Sequence, residues 1–133
     1  GTTTGRARRT GWFDAVAAKY AITINGLDSI AVTKLDVLTN LKKIKICTHY
    51  EIEGRKTDRF PLNINELEKA KPVYIEMNGW NDDLTSVADY KQLPENAKNY
   101  LKKLEDMLKI KICIVKVGPK RNQTIIIDRK DLF

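Results

Sequence analysis

Apolar residues in this chain change period several times, and each change marks an element. From Asp14 to Asn25-Gly26 they recur as Val16, Ala17, Tyr20, Ala21 and Ile24, the spacing of a helix with Asp14 as its N-cap. Ser29–Thr33 predicts a short buried strand that ends at Lys34-Leu35-Asp36. Ile44, Ile46, Tyr50 and Ile52 alternate with polar residues, the period-2 pattern of a strand with one wet face. Gly54 then predicts a hairpin turn into Thr57–Phe60. Asn63 or Asn65 can cap a helical turn through Ala70, after which Pro72–Met77 predicts a strand stopping at Asn78-Gly79. Pro94 suits a helix's first turn, and Ala97, Leu101, Leu104 and Leu108 form an amphipathic stripe beyond it. Lys111–Val117 and Thr124–Asp128 predict the last strands, with Gly118-Pro119-Lys120-Arg121-Asn122 as the turn between them. Elements of both kinds joined by connections of uneven length predict an α+β fold, with mixed sheet strands packed on a few helices and a small antiparallel sheet.

Composition narrows the function classes. The 133 residues suit one domain, and their 24 Lys+Arg against 17 Asp+Glu leave a net charge of +7, which points to anionic partners. No apolar run approaches the ~20 residues of a membrane helix, and no secretory or transit segment is visible, which predicts a protein without membrane association. The chain starts with Gly inside a loop-like motif, so a piece of a longer chain is expected. Cys47 and Cys113 each sit in a strand-like apolar run and are expected to be small buried hydrophobes in a reducing compartment. Two cysteines and one histidine at this spacing fit no zinc motif.

The chain lacks the phosphate-loop, dinucleotide and nucleophile-elbow patterns, and His49, expected on the polar face of its strand, has no triad partners. Three other segments carry chemistry. Gly1-Thr2-Thr3-Thr4-Gly5-Arg6-Ala7-Arg8-Arg9-Thr10-Gly11-Trp12-Phe13-Asp14 offers hydroxyls, backbone N–H groups and guanidinium forks, a set that suits a dicarboxylate or a phosphate. The helix after it would aim its positive end back at that loop. Thr33-Lys34-Leu35-Asp36 puts a carboxylate two residues after a lysine at a strand's end; one carboxylate can accept from both N1–H and the exocyclic amine of guanine, while the lysine stem lies over the base. Lys116-Val117-Gly118-Pro119 is a fixed turn whose N–H groups can meet a base carbonyl. The arginines also admit another reading, a stand-alone basic module that binds nucleic acid. The lysines are spread over strands and helix faces without a stacking-aromatic pattern, which disfavours it.

Together, the arginine loop, Thr33-Lys34-Leu35-Asp36-Val37-Leu38, Lys71-Pro72-Val73-Tyr74, Met77-Asn78-Gly79-Trp80, Leu93-Pro94-Glu95-Asn96-Ala97 and Gly118-Pro119 resemble the C-terminal third of the adenylosuccinate synthetases. The resemblance implies that residues 1–133 are the C-terminal domain of a larger α/β enzyme. It implies a ligase that joins IMP and L-aspartate at the expense of GTP, is cytoplasmic and homodimeric, and acts on no nucleic acid. It further implies an aspartate loop over residues 1–11, with Thr2, Thr3, Thr4, Gly5, Arg6, Ala7 and Arg8 as contacts. Arg6 would also reach IMP, and Arg8 would lie near GTP. Guanine would fall to segments 33–38 and 116–119, through Lys34, Leu35, Asp36, Lys116, Val117 and Gly118. The family's catalytic base, histidine, phosphate loop and Mg2+ ligands precede this region, so no catalytic or metal residue is expected here and the segment alone should be inactive. Lys116 stands where the family usually has serine, Ala7 where proline is commoner, and Thr39 where an acid is frequent.

Overall fold

A computed structural model describes residues 3–127; Gly1, Thr2 and Asp128 to the C-terminus, including the last residue of the strand expected over Thr124–Asp128, lie outside the described residues. Two sheets share one main core. In the first, β3 (Lys43–Ile52) is central: β1 (Phe13–Asp14) runs parallel to it, while β4 (Arg55–Thr57) and β5 (Lys71–Asn78) are antiparallel. The second sheet has the order β2–β6–β7, in which β2 (Ser29–Val32) is parallel to β6 (Lys111–Lys116) and β7 (Thr124–Ile126) antiparallel. Helices α1 (Ala15–Asn25) and α3 (Glu95–Leu108) touch each other, α1 also meeting β3 and α3 meeting β6. The α+β class expected from the sequence is the observed one.

The stripe of α3 behaves as its spacing predicts. Ala97, Leu101, Leu104 and Leu108 are all buried, joined by Tyr100, whose hydroxyl is pushed up to about 12 by burial. Pro94 occupies the N-cap, and Lys109 ends the helix at φ 55. Helix α1 has the expected extent but buries little of it. Asp14 caps it as predicted, but only Ala15 and Val16 are buried and Ile24 is 62% exposed. Its inner face is short because Ala15, Ala18 and Ile22 alone reach the main core, while Val16 and Tyr20 turn to a second cluster, where Tyr20 stacks on Phe60 at 4.9 Å.

The largest correction concerns β3. Its pairing with β5 shifts between Cys47 and His49, so Thr48 is an extra residue opposite no partner. An unbroken strand would put Ile44, Ile46, Tyr50 and Ile52 on one face. The bulge instead sends Ile44 and Ile46 to the main core and Tyr50 and Ile52 to the second cluster, beside Cys47 and Val16. Each face of β3 is therefore buried over only part of its length, and the wet positions are split between the two faces, with Lys43 and Glu51 exposed at opposite ends. His49 moves with the shift: it pairs with Val73, on the same face as Ile75, and is half-buried rather than on a polar face.

Smaller boundaries also differ. The turn Glu53-Gly54 has φ of 51 and 79, the positive pair that a two-residue hairpin needs, so β4 starts at Arg55 and stops at Thr57 instead of spanning Thr57–Phe60. Asn63, not Asn65, caps α2 (Ile64–Lys69) by accepting from the Asn65 N–H at 2.8 Å. Cys47 is buried as expected, whereas Cys113 is only half-buried, its thiol facing Ser29 Oγ at 3.5 Å and the Ile30 carbonyl at 3.4 Å. No helix among the described residues is long and apolar enough to cross a membrane.

Burial decides which apolar residues of the helices matter. Leu104→Ala should destabilise the fold by about 2–5 kcal/mol through lost contacts and a cavity, whereas Ile24→Ala should stay within about 0.5 kcal/mol. Urea unfolding followed by circular dichroism measures both.

Candidate functional site

Parallel strands end side by side, and that places two of the three segments. Val32 of β2 lies opposite Val115 of β6, so the chain leaving β2 at Thr33-Lys34 emerges next to Lys116-Val117-Gly118. Residues 83 positions or more apart, such as Cys113 and Ile30, are thereby neighbours. Leu35–Leu38 does not trail off as a loop but turns into a 3-10 helix, η1, that rests on β6. Leu35 is its plug, 1% exposed in the main core. Lys34, just before it, adopts φ 61, a left-handed conformation that costs a non-glycine residue free energy and that accumulates at binding sites. Lys34 is exposed, and Asp36 is half-buried in the first turn of η1. The Asp36 carboxylate has no hydrogen bond or ion pair among the described residues.

Two supports of this corner escaped the sequence reading. The Thr39 hydroxyl donates to the Asp82 carbonyl at 2.9 Å and accepts from Trp80 Nε1 at 3.1 Å, and the Asn40 N–H reaches the Trp80 carbonyl at 2.8 Å. An acidic side chain at 39 could accept from the indole but could not donate to the carbonyl. On the other strand, Gln123 braces the turn after β6. Its carbonyl accepts from Val117 N–H at 2.9 Å, and its side-chain oxygen from Lys120 N–H at 2.9 Å. Its amide donates to the Thr85 carbonyl at 3.2 Å. The turn is closed by the N–H groups of Val117, Lys120 and Gln123, not by that of Gly118. A Cβ on Gly118 would come within 2.1 Å of Gln123 Oε1, so a larger residue there would have to displace the end of the Gln123 side chain. A bond between residues 123 and 85 has no local sequence signal, which is why it was not foreseen.

The arginine loop stands on the other sheet. Thr3 to Gly11 are exposed, Gly5 has φ 65, and the Arg6 N–H points to Thr4 Oγ1 at 3.4 Å. Thr3, Thr4, Gly5, Arg6, Ala7 and Arg8 therefore present themselves to solvent; Thr2 lies outside the described residues. Downstream the loop becomes fixed. Trp12 and Phe13 pack on the main core, and Phe13 and Asp14 pair with Ile46 and Cys47. Asp14 Oδ1 accepts from the Ala17 N–H at 3.1 Å, and its Oδ2 accepts from the Tyr50 hydroxyl. The helix's positive end, expected to face the loop, is thus already matched by the chain's own carboxylate. Burial and the Asp14 charge push the Cys47 thiol up, and burial with the Asp14 hydrogen bond pushes the Tyr50 hydroxyl up.

Known proteins resemble this chain along almost its whole length. The family model described as adenylosuccinate synthetase matches residues 1–125. The adenylosuccinate synthetase of Desulforamulus reducens is 51% identical over 133 residues, covering 100% of this chain and 31% of that protein. That of Clostridium novyi is 53% identical over 127 residues, covering 96% and 30% respectively. Among solved structures, the fully ligated adenylosuccinate synthetase from Plasmodium falciparum superposes with a TM-score of 0.90 at 37% identity, over 96% of this chain and 31% of that one. The chain spans about 31% of the length of such relatives.

The brace on Gly118 is separable from the core. Gly118→Ala should push the Gln123 side chain aside and lose about 1–2 kcal/mol, the worth of its hydrogen bonds. In a Gln123→Ala background the same substitution should cost clearly less, which a double-mutant cycle of unfolding free energies reads directly.

Proposed function

The chain belongs to the adenylosuccinate synthetase family, and from that premise we propose that it supplies the aspartate loop and the guanine-reading segments of a GTP-dependent ligase. The reaction is GTP + IMP + L-aspartate to GDP + phosphate + adenylosuccinate, a step of AMP biosynthesis. The observation that carries the reading is the convergence of Lys34–Asp36 and Lys116–Gly118 at the paired ends of β2 and β6. A partnerless carboxylate beside a fixed turn is what guanine needs, because it presents two adjacent donors and a carbonyl while adenine has no such donor pair. Segments 33–38 and 116–119 read the base, with Lys34 along its plane.

The exposed loop over residues 1–11 takes aspartate. Thr2, Thr3, Thr4, Gly5, Arg6, Ala7 and Arg8 line it, and the guanidinium forks of Arg6 and Arg8 suit carboxylates bidentately at about 1.5–3 kcal/mol per charged bond. Arg6 also reaches IMP and Arg8 approaches GTP, where its charge offsets that of the transferring phosphoryl group. Closure of the loop excludes water from a phosphorylated IMP that water would destroy. Mg2+ is the metal expected of the reaction, where it would neutralise phosphate charge. The family resemblance puts its ligands upstream of this segment, and no step here runs through it. The intact enzyme is read as a cytoplasmic homodimer without nucleic-acid or membrane partners.

Two substitutions test the assignment in a full-length synthetase that carries this segment. Asp36→Asn should erode the preference for GTP over ATP by about 10-fold or more and leave the KM for aspartate unchanged. Arg8→Ala should raise the KM for aspartate by about 10-fold or more. A common loss of RNA affinity with a steep salt slope, and no effect on either KM, would instead favour a nucleic-acid module. The isolated 133-residue chain should give no adenylosuccinate above background in a product assay.

A further inference from the structure

The exposed arginine loop ends at Asp14, whose carboxylate is a polar anchor to the rigid sheet. We propose that Tyr50 is a positioning residue for aspartate capture: through Asp14 it fixes the end of the arginine loop, so that Arg6 and Arg8 start closure from one defined base. The inference rests on reading residues 1–11 as the aspartate loop.

The argument begins with the bulge at Thr48. Asp14 pairs with Cys47 and shares its face of the sheet, whereas Phe13 pairs with Ile46 and faces the main core. In a regular strand Tyr50 would point with Ile46, away from Asp14. The extra residue turns Tyr50 onto the Cys47 face, where its hydroxyl meets Asp14 Oδ2. Bulges of this kind commonly re-aim a side chain next to a functional site. Tyr50 itself has little freedom. It is 6% exposed, packed in the second cluster with Val16, Cys47 and Ile52, and edge-on to Phe60 at 6.3 Å.

Asp14 has one carboxylate oxygen on the start of α1 and the other on Tyr50. A single side chain thus ties the loop's exit to a helix, to a parallel strand pair and to a buried hydroxyl. The strand holding that exit is only two residues long, Phe13–Asp14, so its own ladder is a weak clamp. Without the Tyr50 hydroxyl, Asp14 can swivel towards solvent while still capping α1, and the arginines must be ordered from a wider ensemble at each turnover. That cost falls on the substrate that the loop captures. Guanine binding, on β2 and β6 of the other sheet, should not register it.

The test is steady-state kinetics on a full-length synthetase carrying this segment, with aspartate and GTP varied in turn. Tyr50→Phe keeps the ring and removes only the hydroxyl; it should raise the KM for aspartate about 5- to 10-fold and move the KM for GTP less than about twofold. Asp14→Ala should reproduce that split. Asp14→Asn should largely restore aspartate affinity, because its oxygen can keep the Ala17 cap while its amide donates to the Tyr50 oxygen. Arg8→Ala is assayed alongside. If Arg8→Ala raises the aspartate KM and Tyr50→Phe does not, the anchor is wrong and the loop assignment stands. If Arg8→Ala leaves that KM unchanged, the loop assignment fails and the anchor falls with it. Equal rises in both KM values for Tyr50→Phe would show a general structural role and overturn the proposal.

Discussion

Strands that run the same way bring their same ends together, and in this chain β2 and β6 do so with about eighty residues between them. Everything at the corner proposed to read guanine depends on that pairing. It sets Lys34-Leu35-Asp36 beside Lys116-Val117-Gly118, and it gives Leu35 a core to plug. Once Leu35 is buried, η1 lies along β6, and Asp36 is left at the edge with its carboxylate unclaimed among the described residues. The hydroxyl of Thr39 and the side chain of Gln123 then hold the two rims through Trp80, Asp82 and Thr85. These are neutral hydrogen bonds in partly wet places, each worth about 1 kcal/mol. Their value lies in direction more than in energy, since a base reader has to hold its acceptor and donors at fixed separation.

The second parallel pair, β1 with β3, does the corresponding work for the arginine loop, but with far less backbone. Two residues of strand cannot define a hinge alone, and side chains complete it. Trp12 and Phe13 supply apolar weight against the main core, and Asp14 supplies the polar tie. The division of labour suits the proposed aspartate loop, exposed along its length and held at its base. An exposed run containing glycines and charged forks has little to bury and stays adaptable, whereas the part-buried Tyr50–Asp14 contact adds a tie at its base.

How legible this was depended on range. The stripe of α3 was plain because four apolar residues at helical spacing have one way to be buried together. The arginine loop, Lys34–Asp36 and Gly118 stood out as candidates because their chemistry sits in short contiguous runs that match a family pattern. Tyr50 was misread for the opposite reason. Its alternation with Ile44 and Ile46 was real, but a bulge adds one residue and inverts the face without leaving a mark in the hydrophobic pattern. Helix α1 was legible in its extent and its caps, but Ala and Ile at helical spacing say nothing about how much of a helix finds a neighbour.

The sequence by itself determined the α+β class, the family, and which residue types could hold a dicarboxylate and read a base. Local composition suffices for those, because helical period, turn chemistry and donor sets are properties of a few adjacent residues. Only the tertiary structure decided that two distant segments form one corner, that β3 divides its buried residues between two faces, and that Tyr50 reaches Asp14. Those outcomes are set by strand register and one inserted residue, quantities that emerge when separate parts of the chain pack and that no local pattern encodes.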